Sequence, residues 1–180
     1  LSRLMIGAEP PALEHRAVQT GATVLSVQGL SLPRADQFGV DLIDLQFEVK
    51  AGEVLGIAGV SGNGQKELLY ALSGEDQRAG PASIQVAGQN AGRMGPGQRR
   101  ALGLHFVPEE RLGRGAVPTM GLAHNLLLTR TNAVSGSGWI QVGALQKHAQ
   151  SIIERFHVKA GGPNSAAKSL SGGNLQKFIV

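Results

Sequence analysis

The sequence predicts an α/β fold, and three patterns in its 180 residues lead to that prediction. The segment 54–60, VLGIAGV, is apolar on both alternating sets of positions, as in a strand that a sheet buries on both faces. Before this segment in the chain, apolar and polar residues alternate through 44–50, as in a strand with one buried face. Later in the chain, apolar residues recur at three- and four-residue steps through 142–157, which indicates an amphipathic helix.

The composition narrows the class of protein. The chain has no cysteine, which excludes a disulfide framework and a thiolate metal site. It has no apolar run long enough to span a bilayer, and residues 1–23 lack the apolar core of a signal peptide, so we expect a cytoplasmic location. The net charge of +4 permits an acidic partner, but the basic residues are scattered and aromatic residues make up only 4%, which disfavours a surface for nucleic acid.

The first fifty residues are predicted to form a linker and two strands. Residues 1–23 are polar and interrupted by proline, which is typical of a linker. The apolar segment 24–30 predicts one strand, and the alternating segment 44–50 predicts an antiparallel partner for it. Because the chain begins with Leu1 and stops at Val180 inside an apolar run, we expect it to be an internal piece of a longer polypeptide.

After the predicted buried strand, a glycine-rich loop leads into a helix. In QKELLYALSG, the apolar face of this helix consists of Leu68, Leu69 and Leu72, and Gly74 is a suitable end for it. Three shorter elements are predicted next: a strand at 82–89, a helix at 96–103 and a strand at 104–108. A helical insertion is predicted from Gly121 onward.

The loop, GVSGNGQK, departs from the phosphate-binding pattern G-x-x-x-x-G-K-[ST] in its last two positions. Gln65 lacks the ammonium group of the expected lysine, and Lys66 lacks the hydroxyl that would bind Mg²⁺. Backbone N–H groups can still hold a phosphate, so we expect weak nucleotide binding without turnover. The alternative is a glycine-rich turn that only packs a strand on a helix. The candidate binding residues are Gly59, Ser61, Gly62, Asn63, Gly64, Gln65 and Lys66.

A second motif closes the chain. The segment 169–180, SLSGGNLQKFIV, places Ser171 where it suits the N-cap of a helix. Gly172 and Gly173 let the positive end of the helix dipole approach a phosphate closely. Together with the loop 59–66, this LSGGQ-type segment resembles the signature of the ATP-binding cassette (ABC) ATPases.

The resemblance can be narrowed to the second nucleotide-binding domain of tandem-cassette ATPases that energise simple-sugar and nucleoside importers. It is carried by GEVLGIAGVSGNGQKELLYALSG, HFVPEERLGRGAVPTMGLAHNLLL and LSGGNLQK, and GNGQKEL is nearer to the nucleoside branch. It implies a P-loop NTPase core with an antiparallel β subdomain over 24–118, a helical subdomain over about 119–168 and the signature at 169–180. Residues 1–23 would be the linker from a preceding cassette. The family's Walker B strand, catalytic glutamate and switch histidine would lie beyond the last residue, which leaves the fold incomplete.

The resemblance also implies roles for the signature residues. Ser171, Gly172 and Gly173 would reach the γ-phosphate of ATP held by the opposite cassette, with Ser171 and Gly173 acting catalytically in trans. Asn174 would belong to the same set of nucleotide-binding residues. Glu109 stands where the family has its Q-loop glutamine, and its carboxylate is either a ligand for Mg²⁺ or water, or part of a solvated turn.

The expected cofactors are ATP and Mg²⁺, with no site in which side chains alone hold a metal. Asp36 aligns with the family's adenine-stacking aromatic residue. The nearest ring, Phe38, either takes that role or packs in the core or a loop, and packing is the favoured prediction. The histidines show no metal-ligand spacing and are interpreted as structural: His105, His124, His148 and His157.

The expected partners are the first cassette of the same polypeptide and transmembrane permease subunits, with an extracytoplasmic substrate-binding protein as an indirect partner and no nucleic acid. The full-length protein would then be an ATPase on the cytoplasmic face of the membrane, and the fragment alone would be inactive. Two alternatives stay open from the sequence. One is a non-catalytic dimerisation half of a transporter, and the other is a soluble ABC protein of translation or DNA repair.

Overall fold

The computed structural model describes residues 19–128, 130, 135–136 and 139–180. The chain separates into two compact units, the first ending at His105 and the second beginning at Phe106. Residues 1–18, which make up most of the predicted linker, lie outside the described residues.

A four-stranded antiparallel sheet organises the first unit. Its strands are Thr23–Leu32 (β1), Leu42–Lys50 (β2), Ile84–Val86 (β3) and Gln89–Asn90 (β4). The strands lie in the order β2-β1-β3-β4, and every neighbouring pair is antiparallel. In β2, Leu45, Phe47 and Val49 are half-buried while the residues between them are exposed. The predicted alternation and the predicted antiparallel pair are therefore confirmed.

Two other predicted strands do not form within the described residues. The segment 54–60 is not a strand, and its apolar side chains are exposed, with Val54 at 95%, Ile57 at 55% and Val60 at 78%. The segment 104–108 is not a strand either. A strand that is buried on both faces lies inside a sheet, where neighbouring strands pair with it. No described strand pairs with either segment. For the described residues, both predictions are wrong.

The helices of the first unit are Gln65–Ser73 (α1) and Pro96–Ala101 (α2). Helix α1 ends as predicted, because Gly74 adopts a φ of 85° and its N–H donates to the carbonyl of Tyr70. The predicted apolar face is only partly correct, since Leu69 is 41% exposed. Ten buried residues form the core, and they are Val27, Leu30, Leu32, Leu42, Leu68, Ala71, Ala79, Ile84, Val86 and Ala91.

Arg99, on α2, is fully buried and joins α2 to the end of α1. Its guanidinium donates to the carbonyls of Leu72 at 2.7 Å, Met94 at 2.9 Å and Gly92 at 3.2 Å, and also to that of Ala71. Burial lowers the pKa of the Arg99 side chain. The cation lies at the negative end of the α1 dipole, where it satisfies carbonyls that have no partner within the helix. Arg99 therefore holds in place the helix that begins at the glycine-rich loop.

We expect Arg99→Met to lower the free energy of unfolding by about 2–4 kcal/mol, because it leaves several buried carbonyls without a donor. Urea denaturation of the chain measures this loss. Arg93→Met is a matched control, because Arg93 is exposed, and it should change the same quantity by less than about 0.5 kcal/mol. Equal effects of the two changes would show that the contacts of Arg99 do not stabilise the fold.

The second unit is mainly helical and also contains a short hairpin. Its elements are Leu122–Leu127 (α3), Ser135–Gly136 (β5), Trp139–Ile140 (β6), Val142–Arg155 (α4), a 3₁₀ turn at Ala167–Ser169, and Gly172–Ile179 (α5). Strands β5 and β6 pair as a short antiparallel hairpin. Helix α4 confirms the predicted helical period, although Val142 and Phe156 at its ends are 51% and 45% exposed. The buried core consists of Ala116, Leu122, Ala123, Leu126, Leu145, Ala149, Ile153, Val158, Ala167, Leu170, Leu175 and Phe178.

Candidate nucleotide-binding site

The glycine-rich loop of the first unit leads directly into α1. Gly62 has a φ of 87° and Gly64 a φ of 95°, a left-handed backbone that residues with a Cβ rarely adopt. The hydrogen-bond ladder of α1 starts with the N–H of Leu68, which donates to the carbonyl of Gly64. The N–H groups ahead of Leu68 have no acceptor within the helix, so they form the kind of helix start that binds anions.

The side chain of Gln65 folds back into this loop. Its Oε1 accepts a hydrogen bond from the N–H of Asn63 at 3.0 Å, and its Nε2 donates to the carbonyl of Val60 at 3.0 Å. The side-chain amide of Asn63 donates to the same carbonyl at 2.9 Å. A Cβ at Gly59 would lie only 2.7 Å from Gln65 Nε2, so a side chain there would push the Gln65 amide out of this position. The loop thus satisfies one of its own N–H donors with an uncharged side chain.

Lys66 turns toward the side of the helix. Its Nζ lies 5.5 Å from the centre of the Tyr70 ring, an arrangement typical of a cation–π contact. The side chain also lines a cavity of about 80 Å³ together with Asp36, Glu67 and Arg78. A lysine has no hydroxyl to offer to a Mg²⁺ ion, so Lys66 does not fit that metal at this position of the loop.

The segment before β2 lies against the first turn of α1. The carboxylate of Glu67 accepts a hydrogen bond from the N–H of Val40 at 3.3 Å. Phe38 lies in a turn that Asp36 closes by accepting the N–H of Phe38 at 2.8 Å. The ring is 88% exposed, so the prediction that Phe38 packs in the core or a loop is wrong. The turn that the Asp36 side chain closes keeps Phe38 at the surface.

The signature segment forms the start of α5 in the second unit. Ser171 is the N-cap residue, as predicted, but its hydroxyl does not cap the helix backbone. Instead, Ser171 Oγ accepts a hydrogen bond from Asn174 Nδ2 at 2.9 Å. Apart from its chain neighbours and the backbone of its own helix, a Cβ added at Gly173 would meet no atom within 4 Å, so this face of the helix start is open. Ser171 and Gly173 are both exposed.

Arg111 lies beside the signature, and sequence reasoning assigned it no role. Its Nη1 donates to Gln176 Oε1 at 3.3 Å. A Cβ at Gly172 would come within 3.2 Å of the same nitrogen, so the guanidinium occupies the space that this glycine leaves. A second contact joins the same segments, since a Cβ at Gly115 would lie 3.2 Å from Ile179 Cδ1. The 111–115 segment therefore packs along α5.

Asn125 is a second residue that sequence reasoning missed. It is 9% exposed, and its Oδ1 accepts the N–H of Val117 at 2.7 Å. Its Nδ2 donates to the carbonyls of Val117, Met120 and Gly121 at 3.1–3.2 Å. An asparagine that satisfies both ends of a turn in this way fixes the backbone between the 111–115 segment and α3.

Glu109 lies in an exposed turn. In the part of the chain that the structure describes, no group of three or more His, Asp or Glu residues could hold a metal ion. No described helix has the length and apolar character needed to cross a bilayer.

A glycine-rich loop that opens one helix, and a Ser-Gly-Gly segment that opens another, are typical of an ATP-binding domain. Residues 42–180, more than half of the chain, match the family described as "ABC transporter". The chain therefore belongs to the ABC transporter family, as an ATPase domain of that family. Membership of this family confirms the predicted fold class, an α/β ABC ATPase fold.

The relatives agree with this assignment. The chain is 35% identical over its whole length to the guanosine import ATP-binding protein NupO of Bacillus subtilis, of which it covers 36%. It is 36% identical over 83% of its length to the ribose import ATP-binding protein RbsA of Halalkalibacterium halodurans, of which it covers 29%. The chain thus spans about a third of the length of these curated relatives.

A solved structure, titled "Structure of ATP binding subunit of ABC transporter", has a similar fold. It superposes with a TM-score of 0.61 at 22% identity, over 87% of this chain and 60% of the other. This likeness concerns the fold alone.

Proposed function

We propose that the full-length protein is the ATP-binding subunit of an ABC importer for nucleosides or simple sugars, and that it couples ATP hydrolysis to transport. The observation that carries this proposal is the signature helix start, where Ser171 and Gly173 are exposed and open to a ligand. The names of the relatives, which refer to guanosine and ribose import, support the substrate class.

In this proposal, the signature segment acts on ATP held by another cassette. The N–H groups at the start of α5 and the hydroxyl of Ser171 donate to the γ-phosphate, and the open space at Gly173 lets that phosphate approach. A first cassette in the same polypeptide supplies the ATP and its Mg²⁺. Ser171 and Gly173 thus contribute to hydrolysis in trans.

The glycine-rich loop of this chain makes a smaller contribution. Gln65 brings no charge to a phosphate, and its amide already uses the N–H of Asn63. Lys66 lies against Tyr70. A nucleotide would have to displace the amide of Gln65, so the loop binds nucleotide weakly and without turnover. The same contacts favour the second candidate function, a dimerisation half whose own loop is closed and which does not contribute to catalysis.

The 112–126 segment is the proposed contact with the permease subunits, on the cytoplasmic face of the membrane. It contains the exposed Leu112 and is held in shape by Asn125. Its first residues belong to the 111–115 segment, which packs along α5. A movement of the permease against this segment would therefore reach the signature helix through direct contacts.

Crosslinking tests this proposal. These 180 residues contain no cysteine, so a single cysteine can be placed at Leu112 or at Thr119, both exposed, in a full-length protein freed of other cysteines. We expect both variants to crosslink to a cytoplasmic segment of the permease. Gln89→Cys, exposed on β4 of the first unit, is the control and should not crosslink. If neither Leu112→Cys nor Thr119→Cys crosslinks to the permease, the proposed contact is wrong.

A further inference from the structure

The side chain of Asn174 connects the signature serine to a fixed point of the backbone. Its Oδ1 accepts the N–H of Lys159 at 2.9 Å, and its Nδ2 donates to Ser171 Oγ at 2.9 Å. A backbone N–H can only donate, so Oδ1 must face Lys159. This leaves the NH₂ group of the amide, which can only donate, facing the serine.

The anchor at Lys159 is itself well held. The preceding residue, Val158, is 5% exposed, and its N–H donates to the carbonyl of Ile153 at the end of α4 at 2.9 Å. Asn174 is half-buried on α5. The carboxamide is therefore held at both ends, by the backbone after α4 and by the start of α5.

This orientation determines how the serine hydroxyl is used. A hydroxyl has one proton to donate and two lone pairs that accept. Because Ser171 Oγ accepts from Asn174, its own proton points away from Asn174. A phosphate oxygen only accepts hydrogen bonds, so a serine held in this way meets a phosphate as a donor.

We infer that Asn174 is a positioning residue, which acts on the phosphate of the opposite cassette by holding the Ser171 hydroxyl as a donor. The family resemblance implies that Asn174 is one of the nucleotide-binding residues, and the structure assigns it a role through Ser171. This inference rests on the proposed function of the signature in trans and adds a residue to it.

A double-mutant cycle in the full-length protein tests the inference, with kcat for ATP hydrolysis at saturating ATP as the readout. Asn174→Ala should lower kcat by about three- to tenfold, the loss that corresponds to one neutral hydrogen bond. In a Ser171→Ala background, the same change should alter kcat by less than about 1.5-fold, because the hydroxyl that Asn174 holds is gone. A purely structural role would reduce kcat by the same factor in both backgrounds.

Asn164→Ala is the matched control, since Asn164 is exposed in the same unit and should leave kcat unchanged. Urea denaturation of each variant identifies any loss that comes from unfolding. Equal factors for Asn174→Ala with and without Ser171 would overturn the inference and leave the proposed function standing. If Ser171→Ala itself left kcat unchanged, the proposed role of the signature would fail, and the inference with it.

Discussion

Gly173→Asp is expected to lower ATP turnover of the full-length protein by at least about 100- to 1,000-fold. Removal of a single donor to a developing anion has an effect of this size, and a carboxylate at the signature both fills the approach path and repels the γ-phosphate. The structure makes the change well suited to this test, because nothing lies within 4 Å of a Cβ at this position. The aspartate should therefore reduce turnover without disturbing the fold.

Two further variants support this reading. Gly173→Ala adds a small uncharged group to the same open space and should lower turnover less than Gly173→Asp does. Ser171→Arg should be as damaging as Gly173→Asp, because the bulky side chain replaces the hydroxyl donor at the exposed helix start. ATP turnover that withstands both Ser171→Arg and Gly173→Asp would show that the signature does not act in trans.

The double change Gln65→Lys with Lys66→Ser is expected to strengthen nucleotide binding at the loop of this chain by roughly ten- to hundredfold. It removes the amide that now uses the N–H of Asn63, and it adds an ammonium group for the phosphates and a hydroxyl for Mg²⁺. Nucleotide titration of the full-length protein, with the site of the proposed first cassette disabled, measures the change in Kd.

Lys66→Ala is the control for this prediction. Since Lys66 lies against Tyr70, its loss should change the Kd of the loop little. If Lys66 reached the phosphates, its loss would remove a charge-assisted hydrogen bond of about 1.5–3 kcal/mol and weaken binding by roughly ten- to hundredfold. Such a weakening by Lys66→Ala, together with no gain from the double change, would mean that the loop is a working variant.

The parts of the fold that the sequence predicted correctly depend on neighbours along the chain. The alternation in β2 and the glycine that ends α1 are local patterns, and both are found where expected. The strand predicted at 54–60 depends instead on partners from elsewhere in the sequence. Periodicity identifies an apolar segment, but it does not show whether a neighbouring strand is present to bury it.

The contacts of the polar side chains were less predictable. Arg99 belongs to the basic run GQRR, which suggests an exposed charge, yet it is buried because the last carbonyls of α1 meet it there. Gln65 could be recognised as a loss of charge, but its return into the loop depends on the rotamer that Gly59 permits. Asn174 could be recognised as part of the signature, whereas its bond to Lys159 depends on how the turn after α4 packs.

The central claim is that this chain supports ATP hydrolysis through its signature and not through its own loop. It is tested most directly by ATP turnover of the full-length protein, compared between the wild type, Lys66→Ala and Gly173→Asp at saturating ATP. We expect Lys66→Ala to stay within about twofold of the wild type, while Gly173→Asp falls close to background. A Lys66→Ala variant that falls as far as Gly173→Asp, or a Gly173→Asp variant with wild-type turnover, would contradict the account.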